Sequence, residues 1–239
     1  MTFRDVYTEI FKRNCLEEFI KDEIIEKFEI LTEIMVKQNE VMNITALTTI
    51  DKIVPLHYAD CAKVEKWIPY GSRVIDIGCG GGFPILPLAI IRPDLQITGL
   101  DSTEKKIRYV QNTASQLGLK IETVSARAED AVKNLNFRET YDVAISRAVA
   151  RMNILSELCI PFVKTNGFFI AMKGAAGSEE AEEAKQGIKK MGGIIEKIDE
   201  YELFTGNENE KRAVIKVEKV RSTPKTYPRS FGSIKKKPL

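Results

Sequence analysis

The chain has 239 residues, 44% hydrophobic and 29% charged, the balance of a soluble globular protein with one substantial core and at most a small appendage. No apolar run approaches the ~20 residues of a membrane span, and the N-terminus (MTFRDVYTEIFKRN) holds no signal-peptide core. Cys15, Cys61, Cys79 and Cys159 are scattered and there is one histidine, so neither a disulfide framework nor a metal site is expected, and a reducing cytoplasm follows.

In chain order, residues 3–39 read as helical: Ile24, Phe28, Leu31, Ile34 and Met35 recur at three- and four-residue spacing among Glu and Lys. Thr48 or Thr49 starts a second helix over 51–67, with Pro55 tolerated near its first turn, and Pro69-Tyr70-Gly71 closes the region. From residue 72 strands and helices alternate. SRVIDIG, LQITGLD, KIETVSA, YDVAISR and FFIAMKG read as strands, and PILPLAIIRP, TEKKIRYVQNTASQLG and ARMNILSELCIPFV as helices between them. A Glu/Lys-rich helix over 178–191 and strands near 194–203 and 212–218 follow. Such alternation makes a parallel sheet with right-handed crossovers, and two strands ending the series without a helix make an antiparallel hairpin at one edge. The expectation is an α/β fold: a Rossmann-like, seven-stranded sheet of the class I S-adenosylmethionine-dependent methyltransferase type, rather than a dehydrogenase. A helical segment over 1–70 precedes the domain over 71–219, and a basic tail over 220–239 follows it.

The net charge of +2 is unevenly spread. Residues 219–239 carry Lys219, Arg221, Lys225, Arg229, Lys235, Lys236 and Lys237 and no acid, leaving an acidic body. A basic, proline-bearing, extended tail with Tyr227 and Phe231 among its cations suits a polyanion with unpaired bases; a solvated, frayed terminus is the equal alternative.

Residues 74–84, VIDIGCGGGFP, carry the most chemistry. Val74, Ile75 and Ile77 make a strand buried on both faces, and Gly78, Gly80 and Gly82 let the backbone approach a ligand closely. The spacing is G-x-G-x-G, not the G-x-G-x-x-G of dinucleotide sites, because Phe83 stands where a later glycine would fall. Asp76 before the turn suits the ammonium and sulfonium of S-adenosylmethionine and would repel a pyrophosphate. Asp101, ending the second strand, suits both ribose hydroxyls of an adenosyl group, or else caps the helix beginning near Thr103. Ala128 and Glu129, after the third strand, either contact adenine or begin a short helix. Arg147 and Arg151 flank the end of the fourth strand. A guanidinium there binds a phosphate or the acceptor edge of guanine, or forms an ion pair with Asp142 or Glu157. The sequence has no N-P-P-[YF] or D-P-P-Y for exocyclic amines and no P-C or T-C for pyrimidine C5. Cys159 reads as core, and His57 as a packed or RNA-contacting side chain.

These residues resemble the bacterial 16S ribosomal RNA guanine-N7 methyltransferases once called glucose-inhibited division protein B. The resemblance spans QNEVMNITAL (38–47), LHYADC (56–61), VIDIGCGGGFPILPLAI (74–90), GLDSTEKKIRYVQ (99–111), ARAED (126–130), SRAVA (146–150), KTNGFFIAMKG (164–174) and the tail TPKTYPRS…KKKPL. Ile85 stands where the family has glycine, and Phe231-Gly232-Ser233-Ile234 where its tail commonly runs A-G-T-P. The resemblance implies methyl transfer from S-adenosylmethionine to N7 of one guanine in 16S ribosomal RNA, free or in the small subunit, by a cytoplasmic monomer. It places Gly78, Gly80, Gly82 and Phe83 on the methionine half of the cofactor, Asp101 on the ribose, and Ala128 and Glu129 on the adenine side. Arg147 falls beside both cofactor and target base, as the catalytic residue. Asn39, Asn43, Thr45, His57, Arg151, Arg229, Lys235, Lys236 and Lys237 are the expected RNA contacts. A small-molecule methyltransferase, or a non-catalytic RNA-binding protein on the same fold, is the alternative.

Overall fold

Thr2 opens the first helix with a capping box: its hydroxyl accepts from the Asp5 N–H and the Asp5 carboxylate accepts from the Thr2 N–H. In the computed structural model, which describes residues 1–239, this helix, α1 (Phe3–Arg13), does not run on into the next. Asn14 stops it. The Asn14 side-chain amide donates to the carbonyls of Ile10 and Phe204, and its Oδ1 accepts from the Phe204 N–H. Cys15 then turns the chain at φ 53°, and α2 (Asp22–Asn39) buries Phe28, Leu31 and Met35 along one face. The single helix expected over 3–39 is therefore two, divided by a contact with a strand nearly two hundred residues away.

The helix expected over 51–67 is also interrupted. It consists of α3 (Ile50–Ile53), a π-helical stretch Val54–Ala59 and α4 (Asp60–Ala62), with a separate 3₁₀ turn at Glu65–Trp67. Pro55 accounts for the widening: it has no N–H to offer the preceding turn, and its ring crowds that turn's carbonyl. The consequence reaches the site, because Leu56, His57 and Asp60 all turn toward the end of the fourth strand.

Beyond residue 72 the elements are β1 (Arg73–Ile77), α5 (Ile85–Ile91), β2 (Gln96–Asp101), α6 (Glu104–Gln116), β3 (Ile121–Ser125) and α7 (Ala128–Ala131). Next come β4 (Tyr141–Arg147), α8 (Met152–Cys159), β5 (Val163–Gly174), α9 (Gly177–Met191), β6 (Gly193–Phe204) and β7 (Asn209–Lys219). The seven strands form one Rossmann-like sheet in the order β3-β2-β1-β4-β5-β7-β6. β1 to β5 are parallel, and β7 lies antiparallel between β5 and β6, so the terminal hairpin doubles back under its own first strand. The chain leaves β1 for β2 and β3 and returns to β4 on the other side of β1. That reversal opens a crevice at the carboxyl ends of β1 and β4. One face of the sheet is covered by α1, α2, α5, α6 and the 50–62 segment, whose Tyr7, Phe11, Phe28 and Tyr58 share a core with Phe83 and Leu86. The other face carries α7, α8 and α9. No helix is long and apolar enough to cross a membrane.

The C-terminal residues are not an extended arm. The Arg138 guanidinium donates to the carbonyls of Thr223, Pro224 and Tyr227, and α10 (Phe231–Lys236) buries Ile234 completely. Tyr227 and Phe231 pack against the core below α8 and are half-buried, not free to stack on bases. Several of the tail's cations are also engaged. Lys219 is buried, donating to the Ile160 carbonyl at 3.0 Å and pairing with Glu139 at 2.8 Å. Arg229 grips Glu157, which is wholly inaccessible to solvent, with Nε at 2.9 Å and Nη2 at 2.6 Å. The expectation of Arg229 as an RNA contact is corrected here: a carboxylate buried in α8 needs a cation, and Arg229 is the one that reaches it. Lys225 and Lys235–Lys237 remain exposed and without ion pairs.

Replacing Arg229 with alanine strands the Glu157 charge and should lower the free energy of unfolding by roughly 3 kcal/mol. Urea denaturation measures this, and a loss below about 1 kcal/mol would contradict the clamp.

Candidate functional site

The crevice is shaped first by backbone. β1 ends at Ile77, held by a 2.9 Å bond from the Ser146 hydroxyl to its carbonyl, which ties β1 to β4 at the switch point. Gly78, Gly80 and Gly82 then adopt φ of 77°, 54° and 87°, a left-handed run that side-chain-bearing residues rarely follow. The N–H groups of Gly78 and Cys79 both donate to the Leu100 carbonyl, at 2.8 and 3.0 Å, and fix the loop against the end of β2. A Cβ on Gly81 would lie 2.6 Å from Ile44, and one on Gly78 would lie 2.7 Å from Val149. Two outside loops, one before α3 and one after β4, thus close directly onto the glycine backbone.

A cavity of about 380 Å³ lies between them. Gly78, Gly80, Phe83, Asp101 and Arg147 line it, together with Thr45 and His57 from the N-terminal segment. A larger cavity, about 970 Å³, opens at the amino ends of β1, β2 and β3 around Arg73, Gln96 and Glu122. That is the wrong end of a parallel sheet for a ligand at the switch point, and the glycine loop does not reach it.

Asp101 is held by backbone on both sides and faces the cavity. Its Oδ1 accepts from the Thr103 N–H at 2.8 Å, at the start of α6, and its Oδ2 accepts from the Gly80 N–H at 3.0 Å. Each oxygen retains a lone pair, and the residue lines the cavity. Asp76 stands beneath the loop with no solvent exposure, and neither of its oxygens has a hydrogen-bond partner. Burial raises its pKa well above the usual carboxylate range, against the pull of Arg147 and with the push of Asp101. An orphaned buried carboxylate beneath a glycine cradle is the feature a cationic ligand would satisfy.

Arg147 ends β4 and is answered from the N-terminal segment. Its Nη1 donates to the Leu56 carbonyl and to Asp60 Oδ2, both at 3.0 Å, and its Nη2 lies 2.7 Å from His57 Nδ1. Asp60 also accepts from Tyr201 at 3.3 Å and pairs with Arg212 at 3.4 Å, so β6 and β7 join the network. The His57 ring stacks on Phe83 with centroids 4.2 Å apart. Burial, reinforced by the Arg147 charge, pulls the His57 pKa down to about 3. Arg147 therefore pairs with Asp60, not with Asp142 or Glu157 as the sequence left open.

Several other expected site residues lie elsewhere. Gly82 is behind the cavity, where a Cβ would strike the Leu86 side chain; its glycine lets α5 pack closely against the loop. Ala128 and Glu129 form the buried first turn of α7 and do not line the cavity. Arg151 faces away and pairs with Glu183 at 2.6 Å. Asn39 is a loop clamp, not a free contact: its Oδ1 accepts from the N–H groups of Ile44 and Thr45, and its Nδ2 donates to the Thr45 carbonyl. Every hydrogen-bonding direction of that side chain but one is taken by its own loop, which corrects its assignment to RNA. Asn43 is exposed on the same loop. Sequence reasoning missed Asp60 and the cavity-lining Lys106. Asp60 had a signal, since it follows His57 by three residues and helical spacing puts both on one face.

The comparisons with known proteins converge. A model of the GidB family, described as rRNA small subunit methyltransferase G, matches residues 24–205. The ribosomal RNA small subunit methyltransferase G of Clostridium perfringens (strain 13 / Type A) is 42% identical over 239 residues, covering 98% of this chain and 99% of its own. Its counterpart in Brevibacillus brevis is 40% identical over 217 residues, 90% of each chain. Among solved structures, M. jannaschii TYW2 in complex with AdoMet superposes with a TM-score of 0.52 at 14% identity, over 66% of this chain and 74% of that one. At that identity the likeness speaks for the fold alone.

His57 is the only histidine, so its titration can be isolated. Its pKa is lower in the folded chain, at about 3, than in the unfolded one, so the unfolded state binds the extra proton as pH falls. Stability should fall with it. Between pH 6.5 and 5 the wild type should lose about 1.5 kcal/mol more than His57→Gln, measured by denaturant unfolding at each pH. Parallel pH profiles would rule out the buried neutral imidazole.

Proposed function

The chain belongs to the GidB family, rRNA small subunit methyltransferase G, and on that premise we propose that it methylates N7 of one guanine in 16S ribosomal RNA. It is an S-adenosylmethionine-dependent enzyme, and the substrate is the RNA itself or the small subunit that contains it. The observation that carries the N7 assignment is the match to that family over nearly the whole chain, and several titratable groups accord with it. His57 is neutral with both ring nitrogens engaged, and burial pushes the Cys61 thiol up to about 12 and the Cys79 thiol up as well. None is poised near neutrality to remove a proton. Guanine N7 needs none removed, because its lone pair is already bare.

When bound, S-adenosylmethionine supplies an electrophilic methyl group on a sulfonium. The chain's own part is to hold and align. Gly78 and Gly80 leave room for close approach to backbone, Asp101 offers its free lone pairs to the ribose hydroxyls, and Asp76 offers an unanswered carboxylate to the ammonium. Phe83, stacked on His57, forms an apolar wall beside Arg147. With no proton to move, rate enhancement rests on in-line positioning and on the charges already fixed around the reacting atoms. Exposed Lys235, Lys236 and Lys237 complete the reading as phosphate contacts, for a cytoplasmic monomer.

Tritiated S-adenosylmethionine offered with naked 16S RNA, with assembled small subunits and with no RNA tests the assignment. Incorporation should require RNA, and nucleoside analysis should return 7-methylguanosine; label without RNA points to a small-molecule substrate, and none at all to a binding protein. A separate variant in which Lys235, Lys236 and Lys237 are glutamine should bind RNA with a log–log salt slope shallower by about 2–3, with cofactor affinity unchanged. An unaltered slope would remove α10 from the RNA interface.

A further inference from the structure

Thr45 carries a hydroxyl whose direction is forced by its neighbours. Arginine can only donate, so the 2.7 Å contact of Arg147 Nη2 with His57 Nδ1 makes Nδ1 an acceptor. The neutral ring then holds its proton on Nε2, which lies 2.9 Å from Thr45 Oγ1 and donates to it. The Leu47 N–H donates to the same oxygen at 3.1 Å. Both acceptor positions of the hydroxyl are filled, and its own proton has no acceptor in the protein. Thr45 lines the cavity opposite the glycine loop, where Ile44 already touches Gly81. A chain beginning at buried Asp60 and running through Arg147 and His57 thus ends in one hydroxyl obliged to donate into the site.

We propose that this hydroxyl selects guanine, donating to O6 of the target base while N7 faces the methyl group. The inference rests on the N7-guanine reading above. On the edge that presents N7, guanine offers a second acceptor, O6, and adenine offers an amine donor in its place. A hydroxyl locked as a donor matches the first and opposes the second. Its neutrality matters too. The purine ring becomes cationic as N7 takes the methyl, and a further positive charge at O6 would oppose that change. Arg147 is charge-compensated by Asp60, and the hydroxyl at the end of the chain carries no charge at all.

The test compares wild type, Thr45→Val and Thr45→Ser in single-turnover methylation of 16S RNA. The RNA carries either guanine or 2-aminopurine, which keeps N7 and lacks O6, at the position mapped as the methylation site. Wild type should favour guanine about tenfold. Thr45→Val should lose about tenfold on guanine and treat the two bases alike, and Thr45→Ser should restore both rate and preference. If Thr45→Val fails to fold by circular dichroism, Thr45→Ala takes its place with the same expectation. A preference retained in the valine variant overturns the proposal. So does a weakened cofactor affinity in calorimetry with the preference intact, which would assign the hydroxyl to the cofactor. Absence of 7-methylguanosine with wild type on the guanine RNA would instead remove the reading on which the proposal rests.

Discussion

Arg147 is a cation with 15% of its side chain exposed, at the carboxyl end of a central parallel strand, and the molecule is arranged to answer its charge. Left unpaired there, a guanidinium would cost several kcal/mol. Asp60 supplies the counter-charge, Leu56 a carbonyl and His57 a ring nitrogen, all from a segment more than eighty residues earlier in the chain. That segment presents all three from a π-helical stretch that contains Pro55 and the turn after it. Asp60 in turn holds Tyr201 and Arg212, so the β6–β7 hairpin is bound to the same point. One buried charge therefore joins the N-terminal helices, the central sheet and the terminal hairpin, and the candidate site is the place where they meet.

The parts of this design written in short-range patterns were legible in the sequence. The β-branched run ending in spaced glycines located β1 and its loop, the alternation of strands and helices predicted a seven-stranded sheet, and Asp101 stands at the end of β2, lining the cavity. What escaped is what depends on distant partners. Nothing in the periodicity of residues 3–39 reveals that Asn14 will bond to Phe204 on both sides of its amide. Composition alone makes 219–239 a basic arm, yet Lys219 and Arg229 are drawn inward by Glu139 and Glu157, acids that belong to other elements. Asn39 was readable as a polar residue in the right loop but not as that loop's own clamp.

Those inward pairs sharpen the electrostatic picture of the tail. With Lys219 and Arg229 paired to acids, the unpaired positive charge lies on Arg221, which also donates to the Lys189 carbonyl, on Lys225 and on the run Lys235–Lys237. That run lies on a short helix pinned by the fully buried Ile234. Cations on a fixed helix lose less freedom on meeting a phosphate backbone than cations on a loose arm. The folding of the tail thus presents its unpaired cations on a fixed surface.

The distribution of unsatisfied groups around the cavity follows from the chemistry assigned to it. An enzyme that must remove a proton keeps a base unengaged near neutral pH, and such a base is usually the most conspicuous group in its site. Here the one histidine at the cavity is occupied, bridging Arg147 and Thr45. What is left unsatisfied is a carboxyl with no partner at Asp76, buried beneath the glycine loop, and a hydroxyl proton with no acceptor at Thr45. The first calls for a cation and the second for a neutral acceptor. A methyl donor bearing an ammonium and a purine bearing a carbonyl beside its nucleophilic nitrogen supply one each, and neither asks the protein to move a proton.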